Sequence, residues 1–197
     1  MIVRPSQIGV NADELSVRSL IYFFIELENL LHHIGKRLRK SGETIAIAEG
    51  VTSGFLQFSF SQMKNAGQFY RGGLTTYTLD DAAKVLNIVA DGNAPDFVSA
   101  EVAGKMAEKV GALYNSDWSI AVTGFASAAE SANGKLYCYF AITYKGKIIL
   151  TEKLDLHSRT KSVNAQLYYS EFILGCFKIE LDKQYAQAEA DTEESNH

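Results

Sequence analysis

Residues 44–54 read Thr44-Ile45-Ala46-Ile47-Ala48-Glu49-Gly50-Val51-Thr52-Ser53-Gly54. The run from Thr44 to Ala48 is short and apolar and predicts a buried strand, and the pattern stops at Glu49 and Gly50. Thr52, Ser53 and Gly54 make a small-residue turn. Beyond it Phe55, Leu56, Phe58, Phe60 and Met63 predict an apolar-rich helix. A strand that turns into a helix gathers backbone N–H groups where the helix dipole is positive, and such a turn can hold a phosphate or a developing oxyanion. An ordinary strand-to-helix connection that binds nothing fits the same residues.

Upstream, residues 1–12 are an irregular lead with Pro5, Gly9 and Asn11, followed by a predicted helix over about 12–40. Leu20, Phe23, Phe24, Leu27, Leu30, Leu31, Ile34 and Leu38 recur at three- and four-residue intervals and give it one broad apolar face. Lys36, Arg37, Arg39 and Lys40 favour its C-terminal end, and Ser41-Gly42 closes it. His32 and His33 are adjacent, so they point in different directions and, without a further ligand, do not indicate a metal site.

Downstream, Phe69 to Thr78 predicts a second strand, with Gly72-Gly73 marking a bulge or a close backbone approach. Asp80 and Asp81 begin a short helix through Leu86. Asp91-Gly92-Asn93 and Pro95 form a loop, and Ser99 caps a helix over about 100–114. Trp118 to Thr123 is a third strand. Leu136 to Tyr144 and Ile148 to Leu156 are two more, joined as a hairpin at Lys145-Gly146. A last helix covers about 161–181, and the acidic stretch 182–197 reads as a frayed tail. Strands and helices mixed along one length predict a layered α/β protein.

Composition narrows the function. With 197 residues, of which 47% are hydrophobic, the chain is long enough for a sizeable core. A net charge of −4 and a single short basic cluster at 36–40 argue against nucleic-acid binding. No run of about twenty apolar residues is present to span a bilayer. Cys138 and Cys176 sit in apolar segments without metal-like spacing, as buried thiols do in a reducing compartment. No signal-peptide pattern is visible at the N-terminus, so the expected location is the cytoplasm.

Four linked motifs carry a family resemblance. Ala48-Glu49-Gly50-Val51-Thr52-Ser53-Gly54 is similar to Ala-Glu-Ser-Cys-Thr-Gly-Gly, the first signature of the CinA C-terminal domain family. Gly72-Gly73-Leu74-Thr75-Thr76-Tyr77-Thr78-Leu79-Asp80-Asp81-Ala82 resembles its Gly-Gly-Val-Val-Thr-Tyr-Ser-Asn-Glu-Ala-Lys. The segments Val98 to Ala107 and Ala121 to Ala126 resemble its Val-Ser-x-x-Val-Ala-x-x-Met-Ala and Ala-Val-Thr-Gly-Ile-Ala. The matches come in family order over about residues 30–181, which leaves 1–29 as a mostly helical extension and 182–197 as the tail. The resemblance implies an α/β/α domain with a mixed central sheet, a homodimer and no cofactor or metal.

Free-standing members of that family are nicotinamide-nucleotide amidohydrolases, and the resemblance implies a serine nucleophile assisted by a lysine and a tyrosine. An acyl-enzyme needs a nucleophile and a group to take its proton. Here Gly50 stands at the serine position and Ala82 at the lysine position, and Tyr77 alone is retained. Lys84 lies two residues on, about 200° around a helix. A two-residue insertion at Asp80-Asp81 would restore its register, though Val85 to Ile88 match the family better without it. The family's Gly-Pro-Gly-Gly-rich loop is replaced by Ala126 to Gly134, with Glu130 bringing a negative charge, and its Gly-Asp-Arg by His157-Ser158-Arg159.

Three readings follow. The chain is a catalytically degenerate member that keeps a pocket for a nucleotide-like small ligand, with Thr52, Ser53, Tyr77, Thr123, Gly124 and Arg159 as candidate binding residues. Alternatively it is a working amidohydrolase rebuilt around Thr52 or Ser53 and Lys84, or an interaction module whose pocket is closed.

Overall fold

The computed structural model describes residues 12–88, 98–127 and 132–194. In chain order the elements are α1 (Ala12–Ser41), β1 (Ile45–Glu49), α2 (Phe55–Ser61), β2 (Tyr70–Thr75), α3 (Leu79–Leu86), α4 (Ala100–Tyr114), β3 (Trp118–Phe125), β4 (Leu136–Tyr144), β5 (Lys147–Leu156) and α5 (Ser162–Glu194). The strands form one sheet in the order β2-β1-β3-β4-β5. β1 runs parallel to β2 and β3, while β4 and β5 are antiparallel to their neighbours. The sheet is therefore mixed, and helices cover both of its faces.

Alternation along the strands decides which helices go where. Ile45 and Ile47, Trp118, Ile120 and Val122, and Cys138, Phe140 and Ile142 point to one side, into a core completed by Ile34 and Leu38 of α1, Leu56 and Phe60 of α2, and Tyr169, Ile173 and Phe177 of α5. Ala46, Ala48, Ala121 and Ala141 point to the other, where α3 and α4 bring Ala82, Leu86, Ala103, Met106 and Ala107. A floor of alanines lets α4 lie close to the sheet. A Cβ added at Gly111 would come within 3.1 Å of Ser119 Oγ, and that hydroxyl donates to the Ala107 carbonyl at 2.6 Å.

The Gly72-Gly73 pair serves both purposes expected of it. Ile45 pairs with Tyr70 and Ala46 with Gly72, so Arg71 bulges out of the ladder. At Gly73 a Cβ would lie 2.5 Å from the Ile47 carbonyl oxygen.

The last helix, expected to end near residue 181, continues as α5 to Glu194. The charge composition of the stretch from Asp182 suggests solvation, but Asp182, Tyr185 and Glu189 are tied to α1, the last by an ion pair with Lys40 at 3.5 Å. His33 Nε2 lies 2.8 Å from Asp182 Oδ1, Arg37 Nε is 3.3 Å from the same oxygen, and the Tyr185 hydroxyl donates to the Arg37 carbonyl. Burial alone would raise the Asp182 carboxyl, but hydrogen bonds from Lys178 and His33 outweigh it and hold the group below its ordinary range. Among the described residues no helix is long and apolar enough to cross a membrane.

Candidate functional site

The turn after β1 is organised by a buried carboxylate. Glu49 is fully enclosed. Its Oε2 accepts from Gly54 N at 3.0 Å and from Leu56 N at 3.2 Å, and its Oε1 accepts from Gln57 N at 2.7 Å. The Thr52 hydroxyl also donates to Oε2, at 2.5 Å, and Phe55 N donates to the Thr52 carbonyl at 3.1 Å. Every backbone N–H from Gly54 to Gln57 is thus engaged, and the positive end of α2 already faces a negative charge. Of the two readings of this turn, an anion cradle and an ordinary strand-to-helix connection, the hydrogen bonds fit the second, because Glu49 has taken the N–H groups. In the sequence Glu49 marks only the end of an apolar run, because its partners are backbone groups that leave no side-chain signature.

Gly50 is buried beside this cap, and its N–H donates to the Val122 carbonyl at 2.9 Å. Its backbone is not among the left-handed positions. A Cβ built on it would meet Thr76 O and Val122 O at 3.4 Å and Thr123 Cα at 3.8 Å, all ordinary contacts with backbone atoms. Neither backbone nor packing requires a glycine here. Gly124 differs, since a Cβ there would lie 2.5 Å from the Tyr137 carbonyl oxygen.

The other candidate residues are dispersed. Thr52 is fully buried and turned to Glu49. Ser53 is exposed with φ 51°, and its hydroxyl lies 3.4 Å from both the Gly50 carbonyl and Gln166 Nε2. Tyr77 is 82% exposed. Ala82 is enclosed in the α3–α4 core, whereas Lys84 is exposed on the same helix. Arg159 is exposed near the start of α5, its N–H donating to His157 Nδ1 at 3.2 Å. Thr123 is buried on β3, one register step from Gly50. Glu130 lies outside the described residues.

The strand order brings together a set that the sequence alone does not. Glu49 pairs with Thr75 of β2 and Val122 of β3, so the next positions along are Thr76, Gly50 and Thr123. Thr123 pairs with Tyr139, and Tyr139 with Lys153. Leu74, Ala48 and Ala121 face α3 and α4, and two residues further Thr76, Gly50 and Thr123 face the same way. A single row therefore crosses the sheet: Thr76, Gly50, Thr123, Tyr139, Lys153. It lies at the carboxyl ends of the parallel strands, where open α/β sheets bind ligands.

At one end of the row the Thr76 hydroxyl is buried without a hydrogen-bond partner. At the other, Lys153 Nζ sits 4.7 Å from the Tyr137 ring centre and 5.9 Å from that of Tyr139, and it bonds Asp155 Oδ1 at 2.6 Å. That hydrogen bond holds the ammonium above its ordinary value. Phe125, Tyr137 and Tyr139 meet edge to face, at 5.5 and 5.9 Å. The row offers a hydroxyl, a bare backbone position, ring faces and a cation.

Comparison with known proteins agrees with the fold. The model of the CinA C-terminal domain matches residues 27–172. A putative competence-damage inducible protein of Streptococcus thermophilus is 36% identical over 115 residues, which cover 58% of this chain and 27% of that protein. A protein of the same description from Streptococcus pneumoniae (strain ATCC 700669 / Spain 23F-1) is 33% identical over 113 residues, 57% of this chain and 27% of its own length. The chain thus spans just over a quarter of these relatives. Crystal structures of CinA superfamily proteins superpose well: one from Klebsiella pneumoniae 700603 with a TM-score of 0.72 at 20% identity, covering 80% of this chain and 98% of that one, and one from Enterobacter cloacae with 0.73 at 22% identity, covering 79% and 92%.

Proposed function

This chain belongs to the CinA C-terminal domain family, and we propose that it has lost the family's serine amidase chemistry while keeping a place for a small, nucleotide-like ligand. One observation carries the reading. Gly50 occupies the position where the family resemblance implies the nucleophile, in a spot that would accept a side chain without strain. The missing serine is therefore a chemical change and not a demand of the fold. Ala82, at the position implied for the lysine, is sealed in the core and offers no amine.

Thr52 and Glu49 are the one arrangement that favours a rebuilt enzyme, since a hydroxyl 2.5 Å from a carboxylate resembles a nucleophile with its base. Two facts weigh against it. Both residues are fully buried, and the carboxylate is spent on three backbone N–H groups. A base so committed is poorly placed to take a proton, and a substrate carbonyl has no open approach to that hydroxyl.

The ligand's place is the row from Thr76 to Lys153, with Gly50 and Thr123 between. An unpartnered buried hydroxyl costs free energy, and a ligand group that bonds it recovers part of that cost. Lys153 supplies the charge for an anionic group. The unpaired thiols of Cys138 and Cys176 suit a reducing cytoplasm. Calorimetry of the purified chain with nicotinamide mononucleotide, run with an assay for released ammonia, tests both halves of the proposal. Heat of binding without ammonia is the expected result.

A further inference from the structure

A groove of about 730 Å³ lies between α1, β5 and α5, on the side of the sheet away from the row at Gly50. Leu154 and Leu156 of β5 alternate with Lys153 and Asp155, so the leucines turn into the groove while Lys153 turns to the row. Leu30, Tyr168 and Phe172 complete the apolar walls, and the two rings remain 47% and 43% exposed. At Gly175 a Cβ would have no atom within 4 Å, so the lining is open there. The volume is that of a small-molecule site, about 300–1,000 Å³.

The two ends of the groove carry opposite charge. α1 and α5 run side by side in the same direction, with His33 beside Asp182 at 2.8 Å and Lys40 beside Glu189 at 3.5 Å. Glu26 and Glu171 line the first end. Neither has an ion-pair partner among the described residues. Burial, and then the charge of Glu26, push the Glu171 carboxyl above its ordinary value. His33 and Lys178 line the other end, about 10 Å further along the helix axes. There Lys178 bonds Asp182 at 2.7 Å and Arg37 lies 3.3 Å from it, so two cations face one carboxylate and positive charge is in excess. The Lys178 ammonium has further donors beyond the one that Asp182 accepts.

We propose that this groove binds a small zwitterionic amphiphile, its amine at Glu26 and Glu171, its anionic group at Lys178 and His33, and an apolar body of about 10 Å between them. Complementary charge at both ends selects that class. A simple fatty acid leaves both glutamates unanswered, and a simple alkylamine leaves the excess at Lys178 unanswered. Tyr168 and Phe172 add ring surface near the acidic end, where an ammonium also gains from a ring face. No residue lines both this groove and the row, so the assignment stands whether or not the row holds a ligand.

Calorimetry of the purified chain with 8-aminooctanoate, octylamine and octanoate tests this. The first, whose extended chain matches the span, should bind roughly tenfold more tightly than either singly charged relative. Glu171→Gln should weaken 8-aminooctanoate about fivefold and leave octanoate unweakened, and Lys178→Gln should weaken it about fivefold and leave octylamine unweakened. Gly175→Trp, which places a ring in the open part of the lining, should abolish binding of all three with circular dichroism unchanged. Should Gly175→Trp or Lys178→Gln fail to fold, Glu171→Gln and the order of the three probes decide. Absence of binding, equal affinity for the three probes, or indifference to the variants overturns the proposal. So does a chain mass that falls in Gly175→Trp by light scattering, because another copy then covers the groove.

Discussion

The Glu49 carboxylate faces the Gly54 N–H across the turn at 3.0 Å and the Gln57 N–H at 2.7 Å. The charge that holds α2 in place is thus supplied from within the chain. The feature that looks most like an anion cradle in the sequence is a closed structural unit. The ligand site we propose lies one step along, at Gly50 and the row it belongs to.

Glu49→Gln should destabilise the fold by about 2–4 kcal/mol, because it removes the charge from several buried hydrogen bonds and leaves one donor facing an amide. Urea denaturation would show it as a lower midpoint at unchanged slope. A midpoint equal to the wild type would contradict the capping role.

Gly50→Ser should fold with a change in stability within about 1 kcal/mol, since its Cβ meets nothing closer than 3.4 Å. The added hydroxyl should give no more than trace ammonia release from nicotinamide mononucleotide, because Ala82 still provides no amine. Ala82→Lys, by contrast, should lower the melting temperature strongly by placing an ammonium in a sealed apolar layer. Thermal melts and the ammonia assay on the two variants separate these outcomes.

Thr76→Val should raise stability or leave it unchanged, because the hydroxyl it removes is buried and unpartnered. The same substitution should weaken ligand binding several-fold in calorimetry, as should Lys153→Ala at the other end of the row. If Thr76→Val loses stability and keeps affinity, the row is structural.

Acid should loosen the end of α5. The Asp182 carboxyl is held below its ordinary value in the folded chain, so its contribution is present above about pH 4, the unfolded value, and is lost as pH falls through the folded value. Hydrogen exchange across 182–194 should accelerate over that window, and Asp182→Asn should abolish the dependence. The ion pairs are partly exposed, so high salt should reduce the effect.

Where local alternation carries the information, the sequence is enough. The isoleucine–alanine alternation of β1 and the hairpin of β4 and β5 are visible in single segments, and the family motifs set their order. What is not visible depends on distance along the chain. Lys153 and Gly50 share a row because of strand order and register, which no spacing reveals. Asp182 and Tyr185 look like the start of a solvated tail until α1 lies beside them. Tyr77 is placed with the candidate site by its motif but points to solvent. Glu49 is silent because its partners are main-chain N–H groups.

Everything concerning lost chemistry rests on Gly50, and the most direct measurement is ammonia release from nicotinamide mononucleotide by the purified wild-type chain, with heat of binding followed in the same samples. Binding without ammonia is the expected result. Steady ammonia release that disappears in Thr52→Ala would contradict it and would mean that the buried pair of Thr52 and Glu49 opens to form a working site.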